Sequence, residues 1–333
     1  MSCVAEPRIL VAGASGYSGA LAAALVDGHP GLELAHVTSR SNVGERLRDL
    51  YPRHRVGLGL EELDLDRHGD VDAAIVAYPH GASAPVVAGL REKGVKVVDL
   101  SADFRLRDRD VYEEWYVPHA APQLLAEAVY GLPELYREQI RRAGLVANPG
   151  CYPTAVLLAL APVAAALQDV VIDAKSGVSG AGREPTGVTH FVSIDENVHP
   201  YGVGRHRHMP EIDQELAAAG AQGITAAFTP HLLPLDQGEL VSCYLKVDDP
   251  QGALALYEER WGDERFVELT DAMPGVKDVQ GTNVCRIHVH PDERTGRLFA
   301  FAAIDNLWKG AASQAVQNLN LMVGLDEAAG IAP

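Results

Sequence analysis

The chain has 333 residues, 47 % of them hydrophobic and 22 % charged, values that exclude a disordered chain and a length that predicts about two domains. Lys and Arg number 28 against 45 Asp and Glu, a formal net charge of −17. That balance argues against a basic face for nucleic acid or anionic lipid, while leaving a small anionic substrate open in a locally positive pocket.

Residues 9–12 form a short apolar run that predicts a buried parallel strand. The glycines of 13–19 break it, and 20–26 predicts a helix. Residues 32–38, 73–77 and 95–100 predict further strands, with a helix over 84–93. Such alternation means βαβ units and a parallel sheet covered on both faces. The pattern changes near Asn148. An Ala/Leu-rich helix is predicted over 154–167, a strand over 170–174 and a Gly-rich loop over 177–187. No periodicity is clear from there to Val203, and Pro210 opens a helix to 219. Residues 240–247, 284–290 and 298–304 alternate with period two, and Val241, Cys243, Leu245 and Val247 share one face. This predicts a sheet with one covered face. Last comes an amphipathic helix over 311–322. The fold class expected is α/β: a Rossmann-type, doubly wound parallel sheet, plus an α+β domain with a larger mixed sheet.

The cysteines are Cys3, Cys151, Cys243 and Cys285, with no C-x-x-C pair and hence no zinc-ribbon pattern. Residues 1–8 lack an apolar leader and no stretch approaches a membrane span. A cytoplasmic protein with reduced thiols is expected.

The segment Gly13-Ala-Ser-Gly-Tyr-Ser-Gly19 follows a strand and opens a helix. Glycine lets the backbone approach a pyrophosphate, which then sits on the helix N-terminus. Gly13, Ser15, Gly16, Tyr17, Ser18 and Gly19 are therefore candidate cofactor residues. The next strand ends in Thr38-Ser-Arg40, without the acid that grips a ribose 2′-OH. Ser39 and Arg40 suit a 2′-phosphate instead, which favours NADP over NAD. Pro79 and His80 follow another strand's C-terminal end, where cofactors lie in open α/β sheets.

Cys151 lies in Asn148-Pro-Gly-Cys-Tyr-Pro-Thr154, at the start of the Ala/Leu helix. The positive end of the helix dipole and its unpaired N–H groups favour a thiolate there and suit an oxyanion. Cys243 and Cys285 sit on apolar strand faces and read as small buried hydrophobes, and Cys3 reads as inert. The segment Gly204-Arg-His-Arg-His-Met-Pro-Glu211 crowds two histidines and two arginines at a helix start. Three readings compete: an acid/base role for His206 or His208, a metal site with Glu211, or a solvated basic surface. His231 reads as structural, and His288 and His290 as solvated.

With these motifs the chain resembles the N-acetyl-gamma-glutamyl-phosphate reductase family, within the wider aspartate-semialdehyde dehydrogenase group. The resemblance also rests on Asp99-Leu-Ser-Ala-Asp-Phe-Arg105, Tyr130-Gly-Leu-Pro-Glu134, Ser176-Gly-Val-Ser-Gly-Ala-Gly-Arg183, His206-Arg-His-Met-Pro-Glu-Ile212 and Ala303-Ile-Asp-Asn-Leu-Trp-Lys-Gly310. Met209 stands where that family often has Thr. The resemblance implies a catalytic Cys151 with His206 as acid/base, NADP, and a homodimer or homotetramer; no metal is expected, because H-x-H-x-x-E lacks a fourth ligand or thiolate nearby. It implies an NADP-binding domain over 1–148 and 306–333, and a catalytic and oligomerisation domain over 149–305. Ser179, Gly180 and Asn306 would join the cofactor contacts. Arg105, Asn148, Arg183, Arg205 and His208 would contact substrate, with Arg207 a further cation to consider. The reaction implied is NADPH-dependent reductive dephosphorylation of N-acetyl-L-glutamyl 5-phosphate through a Cys151 thioester. The alternatives are a related acyl-phosphate reductase (for aspartyl phosphate or carrier-bound aminoadipyl phosphate) and a non-catalytic NADP-binding regulator.

Overall fold

The computed structural model describes residues 6–331; Cys3 lies outside the described residues. The chain divides into two compact units, one running through Pro149 and resuming at Ala311, the other spanning Gly150–Gly310.

The first unit carries β1 (Arg8–Ala12), α1 (Tyr17–Asp27), β2 (Glu33–Thr38), the short helices α2 (Leu47–Leu50) and α3 (Leu65–His68), and β3 (Ala73–Val76). It continues with α4 (Ala84–Glu92), β4 (Lys96–Asp99), α5 (Arg109–Trp115), β5 (Val129–Tyr130), α6 (Pro133–Arg142) and β6 (Leu145–Ala147). The six strands form a parallel sheet in the order β2-β1-β3-β4-β6-β5. The chain winds outward from β1 in both directions, so the switch point lies between β1 and β3. Leu10, Val76 and Val97 are buried on the face covered by α4, where Val87 and Leu90 meet them.

The second unit carries α7 (Cys151–Leu160), β7 (Leu167–Gly177), α8 (Phe191–Ile194), β8 (His199–Pro200), α9 (Met209–Ala218), β9 (Ala227–Leu233) and β10 (Glu239–Val247). Then follow α10 (Ala253–Trp261), β11 (Val267–Leu269), β12 (Cys285–Asp292) and β13 (Arg297–Ile304), and α11 (Ser313–Val323) returns to the first unit, packing on α1, α6, β3 and β4. The seven strands are mixed, in the order β11-β12-β13-β10-β7-β9-β8.

Two differences from the expectation have local causes. The helix expected over 154–167 begins at Cys151 and ends at Leu160, with Ala161–Ala166 in 3-10 turns. Pro162 has no N–H with which to extend the helical ladder. The second boundary between units falls after Gly310 and not at 305/306. Asn306 is held inside the second unit, accepting from the Gly238 N–H at 2.8 Å and donating to Ser179 Oγ at 3.0 Å.

Candidate active site

Helix α7 is apolar on every side, and Tyr152 through Leu160 are all buried. Such a helix belongs in a core, and it packs on β10, β13 and α9. Only its first residue, Cys151, is partly open. Gly150 caps the helix with extended backbone. Its N–H donates to Glu211 Oε1 at 2.9 Å, and its carbonyl accepts from Thr154 Oγ1 at 2.9 Å. Pro153 has no N–H to leave unsatisfied in the first turn. A Cβ on Gly150 would lie 2.5 Å from His208 Nε2, and one on Gly310 would lie 2.8 Å from the Cys151 Cβ. Both glycines make room around the thiol.

The histidine pair meets this helix end. The His206 ring lies 5.6 Å from Tyr152, 5.4 Å from Tyr201, 5.3 Å from Phe228 and 4.8 Å from His208, centroid to centroid. Burial in this aromatic cage, with Arg207 beside it, pushes the His206 imidazole down to about 4. At neutral pH it is uncharged. The backbone N–H of His208 donates to His206 Nδ1 at 3.2 Å, which leaves the proton on Nε2. Tyr201 donates from its hydroxyl to Tyr152 Oη at 3.3 Å, and burial raises both phenols.

One further group was not singled out in the sequence. Glu239 opens β10 with neither carboxyl oxygen meeting a hydrogen-bond donor within standard geometry. It is fully buried, and burial pushes its carboxyl up to about 8, while the Cys151 thiol facing it favours the charged form. The period that puts Val241, Cys243 and Leu245 on the covered face puts Glu239 there too. An acid at the head of an apolar face was the signal that could have found it. Cys243, on that face, is buried and its thiol is pushed up to about 12; Cys285 is buried as well.

The first unit holds the glycine loop. A Cβ on Gly13 would meet the Ala77 carbonyl oxygen at 2.5 Å, so the loops after β1 and β3 touch at the switch point. Gly16 caps α1 with no side-chain hydrogen bond, and the first turn carries no acid. Around Gly16 the nearest atom to an added Cβ is 3.7 Å away. The Gly13 and Ala14 N–H groups donate to the Thr38 carbonyl at 2.9 Å and Gly16 N–H to the Gly13 carbonyl at 3.3 Å, so it is the first turn of α1 that would present N–H groups to a pyrophosphate. Tyr51 donates to the Ser15 carbonyl at 2.8 Å, and Ser39 Oγ donates to Ser15 Oγ at 2.7 Å and to the Ser41 carbonyl. Exposed Arg40 lies over the Tyr78 ring, 4.8 Å from its centroid. Tyr17 and Ser18 are half-buried in the first turn of α1. Asp103 accepts from the N–H groups of Gly81 at 2.6 Å and Ala84 at 2.9 Å, and His80 Nδ1 accepts from the Ala102 N–H at 2.9 Å. The Asp99–Arg105 motif thus fixes the loop bearing Pro79 and His80.

The remaining expected site residues differ in setting. Arg105 is buried and donates to the Asn148 and Leu100 carbonyls at 2.8 and 2.7 Å, and Asn148 Oδ1 accepts from Asn318. Arg183, Arg205 and Arg207 are exposed in the second unit. Ser179 is buried, and a Cβ on Gly180 would lie 3.1 Å from Ser176 Oγ. His231, expected to be structural, lies within β9, with Nδ1 3.2 Å from the Ala174 carbonyl oxygen. His288 is half-buried and sits 2.8 Å from the Thr270 carbonyl, whereas His290 is exposed.

Comparison with known proteins places this geometry. N-acetyl-gamma-glutamyl-phosphate reductase of Desulforudis audaxviator is 49 % identical over 337 aligned positions, covering 97 % of each chain. The enzyme of that name from Rubrobacter xylanophilus is 48 % identical, covering 96 % of each. The chain belongs to the N-acetyl-gamma-glutamyl-phosphate reductase family. Family models agree, matching residues 8–143 as a semialdehyde dehydrogenase NAD binding domain and 151–306 as a semialdehyde dehydrogenase dimerisation domain. The first unit of this reductase-family chain is thus a nicotinamide dinucleotide-binding domain. Aspartate semialdehyde dehydrogenase II of Vibrio cholerae has the same fold, with a TM-score of 0.74 at 19 % identity, covering 96 % of this chain and 98 % of that one. So does aspartate semialdehyde dehydrogenase from Candida albicans, solved with NADP, at a TM-score of 0.67 and 13 % identity. Among the described residues no helix is long and apolar enough to cross a membrane.

Proposed function

We propose that this protein reduces N-acetyl-L-glutamyl 5-phosphate to N-acetyl-L-glutamate 5-semialdehyde and inorganic phosphate, with NADPH as reductant, in arginine biosynthesis. The observation that carries the reading is the setting of Cys151. It is the single partly open residue of a helix otherwise sunk in the core, with the His206–His208 pair packed against the residues on either side of it.

In this reading the Cys151 sulfur attacks the carbonyl carbon of the acyl phosphate. The bond from that carbon to the phosphate oxygen breaks, phosphate leaves with the electron pair, and a thioester remains on Cys151. The N-terminal N–H groups of α7 face the oxygen charge that develops, each donor worth about 3 kcal/mol in comparable sites. His206, uncharged and carrying its proton on Nε2, offers a hydrogen bond to the same oxygen. The nicotinamide cofactor, when bound, would supply the hydride to the thioester carbonyl carbon; the carbon–sulfur bond then breaks, the aldehyde is released and the Cys151 thiolate is regenerated.

Gly13, Ser15, Gly16, Tyr17, Ser18 and Gly19 would hold its pyrophosphate. Ser39 and Arg40 would meet a 2′-phosphate, which is the support for NADP over NAD. Pro79, His80, Ser179, Gly180 and Asn306 complete the proposed cofactor side. Asn306 would act there by fixing Gly238 and Ser179, since its amide bonds both. Exposed Arg183 and Arg205 are the proposed cations for substrate carboxylate and phosphate, beside His208. Buried Arg105 and Asn148 would act by holding the chain that leads to Gly150. Homo-oligomeric assembly through the second unit and a reducing, cytoplasmic setting complete the proposal.

The test is one assay with NADPH in which N-acetylglutamyl phosphate and aspartyl phosphate compete. The N-acetylated substrate should win by about 100-fold or more in kcat/KM, because a site built to hydrogen-bond a group rejects the analogue lacking it. Preference for aspartyl phosphate would overturn the assignment.

A further inference from the structure

A cluster of titratable groups in the first unit has no part in the reaction as so far drawn. His68 ends the short helix α3 and is fully buried. Its Nδ1 accepts from the Asp64 N–H at 3.0 Å, so the neutral ring carries its proton on Nε2. That nitrogen lies 2.8 Å from Glu61 Oε2 and donates to it. The ring also stands edge-on to His36 of β2, 4.9 Å between centroids. Exposed Arg67 pairs with the same Glu61 oxygen.

The main chain of Glu61 leads to the cofactor loop. Its carbonyl accepts from the Ser39 N–H at 2.8 Å, and its N–H donates to the Val37 carbonyl at 3.2 Å. These bonds make an isolated bridge to Thr38, outside any longer ladder. Ser39 and Arg40 leave β2 directly from that bridge.

We propose that His68 and Glu61 are positioning residues for the choice of NADP over NAD: the buried imidazole holds the Glu61 side chain, and the Glu61 main chain holds the base of the Ser39–Arg40 loop. This rests on the reading of Ser39 and Arg40 as the contacts of a 2′-phosphate.

Three observations favour this role. An isolated bridge is a weak anchor, and a hydrogen bond to a carboxylate is about twice as strong as a neutral one. His68 is cut off from water, so its Nε2–H must find a protein acceptor, and Glu61 is the one it meets. Arg67, more than half exposed, cannot replace it, because exposed ion pairs hold little. Last, the Ser39 hydroxyl bonds Ser15 Oγ at 2.7 Å and the Ser41 carbonyl, so a shift at Ser39 disturbs the whole turn that carries Arg40. A guanidinium grips phosphate through directional, paired bonds, which such a shift breaks. NADH lacks that phosphate and loses nothing, so selectivity falls and general dinucleotide affinity stays.

The experiment measures Kd for NADPH and for NADH by fluorescence titration of the full chain without substrate. Wild type, Glu61→Ala, Glu61→Gln and His68→Phe are compared. Glu61→Ala and His68→Phe should each raise Kd for NADPH about tenfold, the loss of charge-assisted bonds, and change Kd for NADH by less than about twofold. Glu61→Gln keeps an acceptor for the His68 Nε2–H and should stay within about threefold of wild type. Should His68→Phe fail to fold, Glu61→Ala decides alone, since its side chain is partly exposed. Equal weakening of both dinucleotides, or an unchanged preference in Glu61→Ala, would overturn the inference while a wild-type preference for NADPH leaves the cofactor reading standing. A wild type that binds NADH as tightly as NADPH would overturn the cofactor reading, and this inference with it.

Discussion

The backbone N–H of Gly150 donates to the Glu211 carboxylate at 2.9 Å, tying the residue before the thiol to the first turn of α9. Both groups are buried. The same first turn begins just after His208, whose ring lies where a Gly150 Cβ would be. One carboxylate therefore fixes the thiol-bearing helix against the histidine segment. Glu211→Ala would strand a buried N–H, and a stability loss of about 1–3 kcal/mol is expected by urea unfolding. Glu211→Gln keeps an acceptor and should lose less. Equal stability in all three proteins would contradict the coupling.

The two glycines beside Cys151 make a steric prediction. Gly150 has φ −67°, which alanine adopts without strain, so any effect of Gly150→Ala comes from the His208 ring it must displace. Gly310→Ala would press on the Cys151 Cβ itself. Each is expected to lower kcat by about 100-fold, the scale of an ångström-sized misplacement, with KM changing much less. Unchanged kcat in both would mean that the thiol's position is not critical.

Much of this was legible in the chain. The parallel strands were readable because their residues are buried on both faces, which leaves short unbroken apolar runs such as 9–12 and 73–76. Cys151 stood out because it precedes a run with no polar face at all. What stayed hidden depended on contacts distant in sequence. Strand β9 contains Pro230, which reads as a breaker, yet it is tolerated beside the two-residue β8 near the sheet edge. Helices α5, α6 and α10 carry many charges and few apolar residues, so they offered no apolar run to read. The distance between Glu211 and Gly150 is a property of the fold, and the neutral state of His206 comes from aromatic residues on three separate elements.

Stability should depend on pH through Glu239. Its carboxyl is raised in the folded state from 4.5 to about 8. Below about pH 4.5 it is protonated in both states and contributes no pH dependence. As pH rises to 8, the unfolded chain releases the proton and the folded protein keeps it, so stability falls through this window and then levels. Glu239→Gln removes the effect, and its unfolding free energy should exceed that of wild type at pH 8, by an amount on the order of a few kcal/mol, and match it at pH 4. His206 acts oppositely: its pKa is depressed from 6.5 to about 4, so its contribution is present above 6.5 and lost on acidification through 4. Scanning calorimetry across this range checks both.

Arg40, stacked over Tyr78, is the predicted discriminator between dinucleotides. Arg40→Ala should raise KM for NADPH about 10- to 100-fold, the loss expected for charge-assisted bonds to a phosphate. KM for NADH should barely change. A variant that weakens both cofactors equally would assign Arg40 to the loop's structure.

The central claim is tested most directly by turnover of Cys151→Ser, assayed as NADP reduction with the semialdehyde and phosphate. Serine keeps the shape but its hydroxyl is far less acidic and nucleophilic than a thiol. A fall in kcat of about a thousandfold or more, with cofactor affinity and unfolding midpoint retained, is the predicted result. Turnover near that of the wild type would contradict a covalent intermediate on this sulfur.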